Sequence, residues 1–213
     1  MGTVELLPSN VIDKIKETPG ALSVAEAIAI YNVAKLSPHG LYMELGSHKG
    51  KSSMAAACGL KKGVFYLVEP EFEDKNWAST VGDSISVANS DLAVDLVADY
   101  STNVIDKYSP YAYVFWDSGE HGGEVLKKET ELLEDAIIPG GILCSHDIGN
   151  QFTQQKEAMD YLVSTGKYEW IPIDWPAILK YVADNNLEEG NNSWHVYPDL
   201  GHAPNFVGAI RRK

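Results

Sequence analysis

The chain has 213 residues, of which 45% are hydrophobic, and it carries a formal net charge of -13 at pH 7. This length suits one domain with a sizeable core. The negative charge argues against a nucleic acid as partner, because a phosphate backbone calls for clustered Lys and Arg. No apolar run approaches the roughly 18 residues of a membrane helix, and no signal pattern is visible, so no membrane partner is expected. The two cysteines fit a reducing, cytoplasmic compartment.

Two helices are predicted near the amino terminus. A short helix fits residues 9–17. The second begins with a capping box, in which Ser23 and Glu26 satisfy each other's backbone N–H groups, and it carries an apolar stripe at helical spacing. We therefore expect residues 1–39 to form a helical segment within a single domain that spans residues 1–213.

The rest of the chain alternates apolar strands with helices. Strands are predicted at 41–45, 64–68, 93–98, 111–116, 142–145, 168–173 and 206–210, and helices directly after the first strand, at 124–138 and at 152–165. This alternation predicts an α/β fold with a doubly wound, mostly parallel sheet. Residues 174–205 form an unusually long insert before the last strand. A lid beside the site and a subunit contact, which would make the protein a homo-oligomer, are both open for this insert.

The segment LYMELGSHKGKSSMAAACGL, residues 41–60, combines a strand, a glycine turn and a helix of small residues. Such a turn brings backbone N–H groups and a helix start against a ligand. A P-loop needs four residues between its first glycine and Gly-Lys-Ser, but Gly46 and Gly50 enclose three. A dinucleotide fingerprint needs glycine where His48 stands. The remaining pattern is E-x-G-x-x-x-G, with a strand–turn–helix that binds nothing as the alternative.

An acidic residue lies at or near the end of each of the first five predicted strands. These residues are Glu44, Glu69, Asp99, Asp117 and Asp147. Ligands of doubly wound sheets bind beyond the carboxyl ends of the strands. One carboxylate at a strand end means little, because strand ends are solvated, but five along one edge predict a site.

Four motifs together resemble the class I S-adenosylmethionine-dependent methyltransferases over most of the chain. They are ELGSHKG, the acid in YLVEP, WDSGEH, and LLEDAIIPGGILCSHDIG. More narrowly, the chain is similar to the branch that includes metal-dependent O-methyltransferases of sugars and other small hydroxylated molecules. The resemblance implies a Rossmann-like, seven-stranded sheet with an antiparallel last strand. It also implies S-adenosylmethionine as cofactor and Mg²⁺ or Mn²⁺ as a metal partner.

The same resemblance implies roles for residues around the glycine turn. Glu44 would reach the amino group of the cofactor's methionine, Gly46 would let the backbone approach the cofactor, and Glu69 would accept the ribose hydroxyls. The full set of implied cofactor-binding residues is Glu44, Gly46, Ser47, Gly50, Ser52, Glu69, Asp99 and Tyr100.

Asp117 and Asp147 are the predicted metal ligands, because they end neighbouring strands of this fold. A third ligand is open between His146, Asn150 and water. Adjacent strand residues point to opposite faces, so His146 can join Asp147 only where the chain leaves the pleat. His121 resembles the general base of the family; its alternative role is to cap a helix or to orient Asp117.

These expectations combine into one predicted activity, the transfer of a methyl group to an oxygen of a small hydroxylated substrate. Asp117 and His121 would be its catalytic residues. Two alternatives remain on the same fold: a non-methylating enzyme such as a hydroxylase, and a binding protein without turnover.

Overall fold

The computed structural model describes residues 4–20, 22–88, 91–118, 123–149, 153–187 and 207–213. The α-helices within these residues are α1 (Ser9–Glu17), α2 (Val24–Ala34), α3 (Lys51–Gly59), α4 (Lys75–Ser86), α5 (Ser101–Tyr108), α6 (Gly123–Ala136), α7 (Thr153–Ser164) and α8 (Trp175–Asp184). The strands are β1 (Gly40–Leu45), β2 (Gly63–Val68), β3 (Leu92–Val97), β4 (Tyr111–Trp116), β5 (Ile137–Ser145), β6 (Tyr168–Ile171) and β7 (Gly208–Arg212). A short 3-10 helix follows β2 at Pro70–Glu73.

The described strands form one seven-stranded sheet in the order β3-β2-β1-β4-β5-β7-β6. Neighbouring strands from β3 to β5 are parallel, whereas β7 runs antiparallel to both β5 and β6. The expected doubly wound α/β sheet with an antiparallel last strand is therefore confirmed. The order of the strands reverses between β1 and β4, which is where ligands bind in open sheets of this kind.

Helices cover both faces of the sheet. Tyr42 and Tyr113 project to the face that packs on α1, α2, α3 and α8. Met43 and Val114 project to the opposite face, which packs on α5, α6 and α7. Every residue of β4 is buried. Burial on both sides explains why β4 is one continuous apolar run, since neither of its faces meets water.

Helix α2 begins where its sequence predicts. Ser23 Oγ accepts a hydrogen bond from the backbone N–H of Glu26, and the Glu26 carboxylate accepts one from the backbone N–H of Ser23 at 2.8 Å. Nine of the eleven residues of α2 are buried. A helix that is apolar nearly all round must be enclosed, and α2 packs on α3 and also reaches α8 and β5.

Several elements differ from the sequence-based expectation. Helix α6 ends at Ala136 rather than at residue 138, and the Pro139–Gly141 stretch lies inside β5 rather than between helix and strand. The register between β4 and β5 shifts at this point, so the glycines accommodate an irregular stretch of strand. The last strand begins at Gly208 rather than at residue 206, and β6 ends at Ile171 rather than at residue 173.

Helices α4, α5 and α8 were not predicted. Helix α8 occupies the first part of the 174–205 insert and begins at Trp175, with Asp174 as its N-cap and Pro176 in its first turn. Residues 188–205 of the insert lie outside the described residues. The first part of the predicted insert is therefore helical at Trp175–Asp184, where no element was predicted.

Candidate functional site

A cleft opens at the carboxyl ends of β1, β2 and β4, where the strand order reverses. Its volume is about 490 Å³, and its lining includes Gly46, His48, Glu69, Asp99, Tyr100, Asp117 and Ser118. A neighbouring cavity of about 590 Å³ shares Pro70, Glu71, Asp99 and Tyr100 with it and adds Trp77, Glu73 and Asp74. Six carboxylates thus surround the combined space: Glu69, Glu71, Glu73, Asp74, Asp99 and Asp117.

Gly46 lies where β1 ends and has a φ of +85°. Its N–H donates to the carbonyl of Val68 at 2.9 Å, which holds the turn against β2. A Cβ atom at Gly46 would lie 2.1 Å from the carbonyl oxygen of Asp117. The structure therefore gives a second reason for this glycine, beside the predicted close approach to a ligand: the backbone after β4 already requires the absence of a side chain here.

The turn then leads into α3. Gly50 adopts a φ of +84° and donates its N–H to the carbonyl of Ser47 at 2.8 Å. The ammonium group of Lys51 donates to the carbonyls of Gly20 and Leu22, at 3.1 Å each. Lys51 therefore ties α3 to the segment before α2, which is not the role of a P-loop lysine.

Glu44 lies beneath this turn rather than on the cleft wall. Its side chain has no solvent exposure, and its Oε1 accepts a hydrogen bond from the hydroxyl of Ser52. Its Oε2 and the buried hydroxyl of Ser47 have no hydrogen-bond partner among the described residues. Burial raises the pKa of Glu44 to about 8, and the charges of Asp117 and Glu69 contribute in the same direction.

Glu69 lies on the cleft wall at the end of β2. Its Oε2 accepts the backbone N–H of His48 at 2.9 Å, which connects it to the glycine turn. Burial, together with the adjacent Glu71, raises the pKa of Glu69 to about 7. Glu69 therefore changes charge near neutral pH, in contrast to an ordinary exposed carboxylate.

Asp99 and Tyr100 form the outer wall of the cleft at the start of α5. Asp99 Oδ1 accepts from the backbone N–H of Tyr100 and from the side-chain amide of Asn103, both at 2.8 Å. These bonds hold the pKa of Asp99 below its usual range. The ring of Tyr100 is two-thirds exposed, which leaves it available to a ligand.

Three predicted metal ligands lie together beyond β4 and β5. Ligand atoms of Asp117, His146 and Asp147 are all within 4.8 Å of one another. His146 Nδ1 is 3.2 Å from Asp147 Oδ1 and 3.9 Å from Asp117 Oδ2. Asp147 has a φ of +59°, so the chain leaves the pleat directly after His146 and brings both side chains to one place.

This donor set fits a divalent cation. An octahedral ion with ligands at 2.0–2.1 Å keeps adjacent ligand atoms about 3 Å apart, which is close to the 3.2 Å between His146 Nδ1 and Asp147 Oδ1. Two carboxylates and one imidazole suit Mn²⁺ or Fe²⁺ as well as Mg²⁺. Asn150, the other protein candidate for a third ligand, lies outside the described residues, and so does His121.

His146 has a second partner that the sequence did not reveal. Its Nε2 lies 3.2 Å from Oε1 of Glu26, a residue of α2 with no solvent exposure. Burial lowers the pKa of His146, but the charge of Asp117 and the contacts with Asp147 and Glu26 together hold it well above its usual range. The capping box identifies Glu26 as a structural residue, and nothing in its spacing from His146 points to this contact.

A second buried carboxylate supports the cleft from the opposite face of the sheet. Glu129 of α6 accepts from Trp116 Nε1 at 2.8 Å and from the hydroxyl of Ser118 at 2.7 Å, both on its Oε2. Its Oε1 has no partner among the described residues. Since Ser118 lines the cleft, Glu129 fixes the turn that carries Asp117.

The sequence analysis assigned no role to two residues of the cleft, His48 and Trp77. The indole N–H of Trp77 donates to the carbonyl of His48 at 2.8 Å, and their rings meet edge to face. The ammonium of Lys49 lies 3.2 Å from the centre of the Trp77 ring. Because α4 itself was not predicted, no pattern in the sequence placed Trp77 at this wall.

Comparison with known proteins identifies the type of domain. Residues 43–148 match a family model described as a methyltransferase domain. A comparison with functionally characterised sequences finds no match. No helix among the described residues is both long and apolar enough to cross a membrane.

Many solved structures share the fold. An O-methyltransferase from Bacillus cereus, solved with S-adenosylhomocysteine, has a TM-score of 0.62 at 13% identity, over 98% of this chain and 94% of that one. An rRNA methylase from Streptococcus thermophilus has a TM-score of 0.53 at 12% identity, over 89% and 95%. A methyltransferase homologue from Pyrococcus horikoshii has a TM-score of 0.60 at 14% identity, over 90% and 67%. At such identities the likeness establishes the fold alone.

Glu44 should make the stability of the protein depend on pH. Its pKa is higher in the folded than in the unfolded protein, so the unfolded state loses its proton first as the pH rises. The free energy of unfolding should therefore fall by about 3 kcal/mol from this group between pH 5 and pH 7. Urea denaturation at several pH values measures this slope, and Glu44→Gln should flatten it. The control Glu131→Gln, at an exposed position, should leave the slope unchanged. An equal slope in wild type and Glu44→Gln would show that Glu44 does not cause the pH dependence.

Removing the Glu129 carboxylate should destabilise the fold. Glu129→Ala leaves the buried indole N–H of Trp116 without its acceptor, which costs about 1–3 kcal/mol, and adds a cavity. Glu129→Gln keeps one oxygen that can accept from both Trp116 and Ser118, so it should lose less. Thermal unfolding of the two variants provides the measurement, and an alanine variant as stable as wild type would show that these hydrogen bonds contribute nothing net.

Proposed function

Because the chain belongs to the class I S-adenosylmethionine-dependent methyltransferases, we propose that it methylates an oxygen of a small hydroxylated substrate with the help of a divalent metal ion. The cofactor supplies an electrophilic methyl group on a sulfonium, and a metal ion supplies Lewis acidity that lowers the pKa of a hydroxyl. The observation that carries the proposal is the placement of Asp117, His146 and Asp147 beside the cleft that begins at Gly46.

The cleft fits the cofactor in three respects. Backbone N–H groups at the start of α3 suit a carboxylate, because a helix N-terminus favours negative charge. Glu44 Oε2 and Ser47 Oγ are buried without a partner among the described residues, and both suit an ammonium group, directly or through water, since a nearby positive charge would favour the ionised form of Glu44. Glu69 lines the cleft at the end of β2, and one of its oxygens is already fixed by the backbone N–H of His48, which supports a role for this carboxylate in accepting the hydroxyls of a ribose.

The charge around the cleft supports a small substrate over RNA. The combined space is walled by six carboxylates, and the chain as a whole has a net charge of -13. An RNA-binding surface would instead neutralise phosphates with Lys and Arg. Since an rRNA methylase shares the fold, RNA is the substrate class against which this proposal must be tested.

The metal-binding residues would act by holding and orienting the reacting hydroxyl. Asp117 and Asp147 supply negative charge, and His146 completes a compact three-atom donor set. Alignment of the attacking oxygen removes much of the entropic barrier to transfer. His121 remains the proposed general base, on the strength of the family resemblance of WDSGEH.

We also propose that the described parts of residues 1–213 act as a single domain. Helices α1 and α2 pack on α3, and α8 packs on α2, so neither end of the chain forms a separate unit. The insert at 174–205 contributes α8 to this core, which supports a structural role for at least its first part.

Methyl transfer from isotopically labelled S-adenosylmethionine tests the proposed activity. The acceptors to compare are a collection of sugars and hydroxylated aromatic compounds and, separately, ribosomal RNA. Label in a small product that is lost with EDTA and restored by Mg²⁺ or Mn²⁺ would support the proposal. Label in RNA alone would overturn the substrate class, and metal-independent transfer would overturn the role of the ion.

Cofactor affinity should depend on the charge of Glu69. Ribose hydroxyls donate best to an ionised carboxylate, and the pKa of Glu69 is about 7. S-adenosylhomocysteine should therefore bind more tightly at pH 8 than at pH 6, by up to about tenfold. Calorimetry measures the affinity, and Glu69→Gln should abolish the pH dependence. Glu73→Gln removes a charge from the same rim and serves as the control; pH dependence that persists in Glu69→Gln would assign it to another group.

The substitution Asp147→Asn should weaken metal binding without weakening cofactor binding. Asparagine tolerates the left-handed backbone of residue 147, so the variant should fold, but it loses an anionic ligand. Mn²⁺ affinity, read from the paramagnetic signal of the free ion, should fall at least tenfold, while S-adenosylhomocysteine affinity stays within about twofold of wild type. Asp95→Asn, an exposed acid on β3, is the control. Unchanged Mn²⁺ affinity in Asp147→Asn would place the ion elsewhere.

A further inference from the structure

Helix α2 reaches the metal-binding cluster although it lies outside the matched domain. The methyltransferase match begins at residue 43, whereas α2 covers Val24–Ala34. Glu26, in its first turn, has no solvent exposure, and its carboxylate lies against His146. A buried carboxylate destabilises the fold unless its oxygens accept hydrogen bonds or are paired with a positive charge. The partners of both Glu26 oxygens therefore matter.

The two oxygens of Glu26 have different partners. Oε2 accepts from the backbone N–H of Ser23 at 2.8 Å and from its hydroxyl at 2.7 Å. Among the described residues, Oε1 contacts Nε2 of His146 at 3.2 Å. Because an ionised carboxylate accepts hydrogen bonds and cannot donate them, this contact requires a hydrogen on Nε2.

The other ring nitrogen of His146 then faces acceptors alone. With hydrogen on Nε2, the neutral ring presents a lone pair at Nδ1 toward Oδ1 of Asp147 and Oδ2 of Asp117. Without a metal ion, a second hydrogen on Nδ1 can donate to Asp147, in keeping with the raised pKa of His146. A divalent ion beside the two carboxylates would need the lone pair of Nδ1 in place of that hydrogen. A carboxylate on the far nitrogen of a histidine is the arrangement that fixes a ligand's tautomer and strengthens its bond to a metal.

We propose that Glu26 is a positioning residue, which fixes His146 as the Nε2–H tautomer and so presents Nδ1 to a metal ion beside Asp117 and Asp147. The inference rests on the metal site of the proposed function. It adds that a helix before the methyltransferase domain sets the chemistry of a ligand within it. Glu26 touches neither substrate nor cofactor and acts through His146.

The substitution Glu26→Gln tests this role sharply. A capping box accepts Gln as well as Glu, so the side-chain oxygen can remain on Ser23 and the helix start is preserved. The amide NH₂ of the glutamine then faces Nε2 of His146, and because it only donates hydrogen bonds, it favours a lone pair on Nε2. The hydrogen of the neutral ring moves to Nδ1, where it points at the two carboxylates and opposes a cation. Mn²⁺ affinity should fall by about 10–100-fold.

Ser23→Ala is the matched control. It removes the hydroxyl from the same capping box but leaves Oε1 of Glu26 against His146. The melting temperature should fall in this variant, because part of the cap is lost, while Mn²⁺ affinity stays at the wild-type value. A merely structural role for Glu26 predicts the opposite pattern, with affinity tracking stability in both variants.

Nitrogen NMR of histidine-labelled protein reads the tautomer directly. Wild-type protein saturated with Mg²⁺ should show His146 protonated at Nε2, with the shift of Nδ1 responding to the metal; Glu26→Gln should show the hydrogen on Nδ1. The wild-type spectrum alone decides the matter if Glu26→Gln does not fold, because hydrogen on Nδ1 in the Mg²⁺-loaded protein overturns the inference.

The outcomes separate this inference from the proposed function. If wild type binds Mn²⁺ and Glu26→Gln binds it equally well, Glu26 does not position the ligand and the metal site stands. If wild type binds no Mn²⁺, the inference fails together with the metal. Binding of S-adenosylhomocysteine, measured in the same samples, then shows whether the methyltransferase assignment survives without it.

Discussion

The close approach of two backbone segments at Gly46 determines the geometry of the whole site. The turn after β1 passes so near the carbonyl of Asp117 that no side chain fits between them. This contact brings the cleft wall that begins at Gly46 and the proposed metal-binding cluster that begins at Asp117 to adjacent positions. A cofactor bound along the first and a substrate held by the second would meet at this point. The glycine therefore matters for the relative position of two half-sites, as well as for the conformation of one turn.

Buried carboxylates surround that contact, and each is treated differently by the fold. Glu44 is sealed below the turn, where burial favours its neutral form. Glu69 is partly satisfied by one backbone N–H and titrates near neutral pH. Glu26 and Glu129 are held by defined donors from side chains and backbone on opposite faces of the sheet. The same residue type thus occurs as a sealed neutral group, as a carboxylate that titrates near neutral pH and as a structural anchor, and burial together with the available donors decides which.

The fold could be predicted from the sequence wherever local patterns were strong. Continuous apolar runs located β4 to the residue, and the capping box located the start of α2. Helices α4 and α5 were missed because each buries only two or three residues, too few to mark a helix by their spacing, and with α4 the sequence missed Trp77. The carboxylates at the strand ends were predicted correctly to lie together because the carboxyl ends of parallel strands lie at the same edge of the sheet. Glu26 was missed because its role depends on how α2 crosses β5, which no local spacing encodes. His121 stays a prediction, since it lies outside the described residues.

The bond between Lys51 and the carbonyls of Gly20 and Leu22 has a consequence for communication across the protein. It joins the start of α3, which forms part of the proposed cofactor-binding turn, to the short segment that leads into α2 and Glu26. The proposed cofactor-binding half-site and the proposed metal-binding half-site are therefore connected through these hydrogen bonds on one face of the sheet. If a ligand in one half-site rigidifies the connecting segment, a ligand that then binds the other half-site has less conformational entropy to remove. Any such coupling is reciprocal by thermodynamic linkage, so each ligand would tighten the other by the same factor.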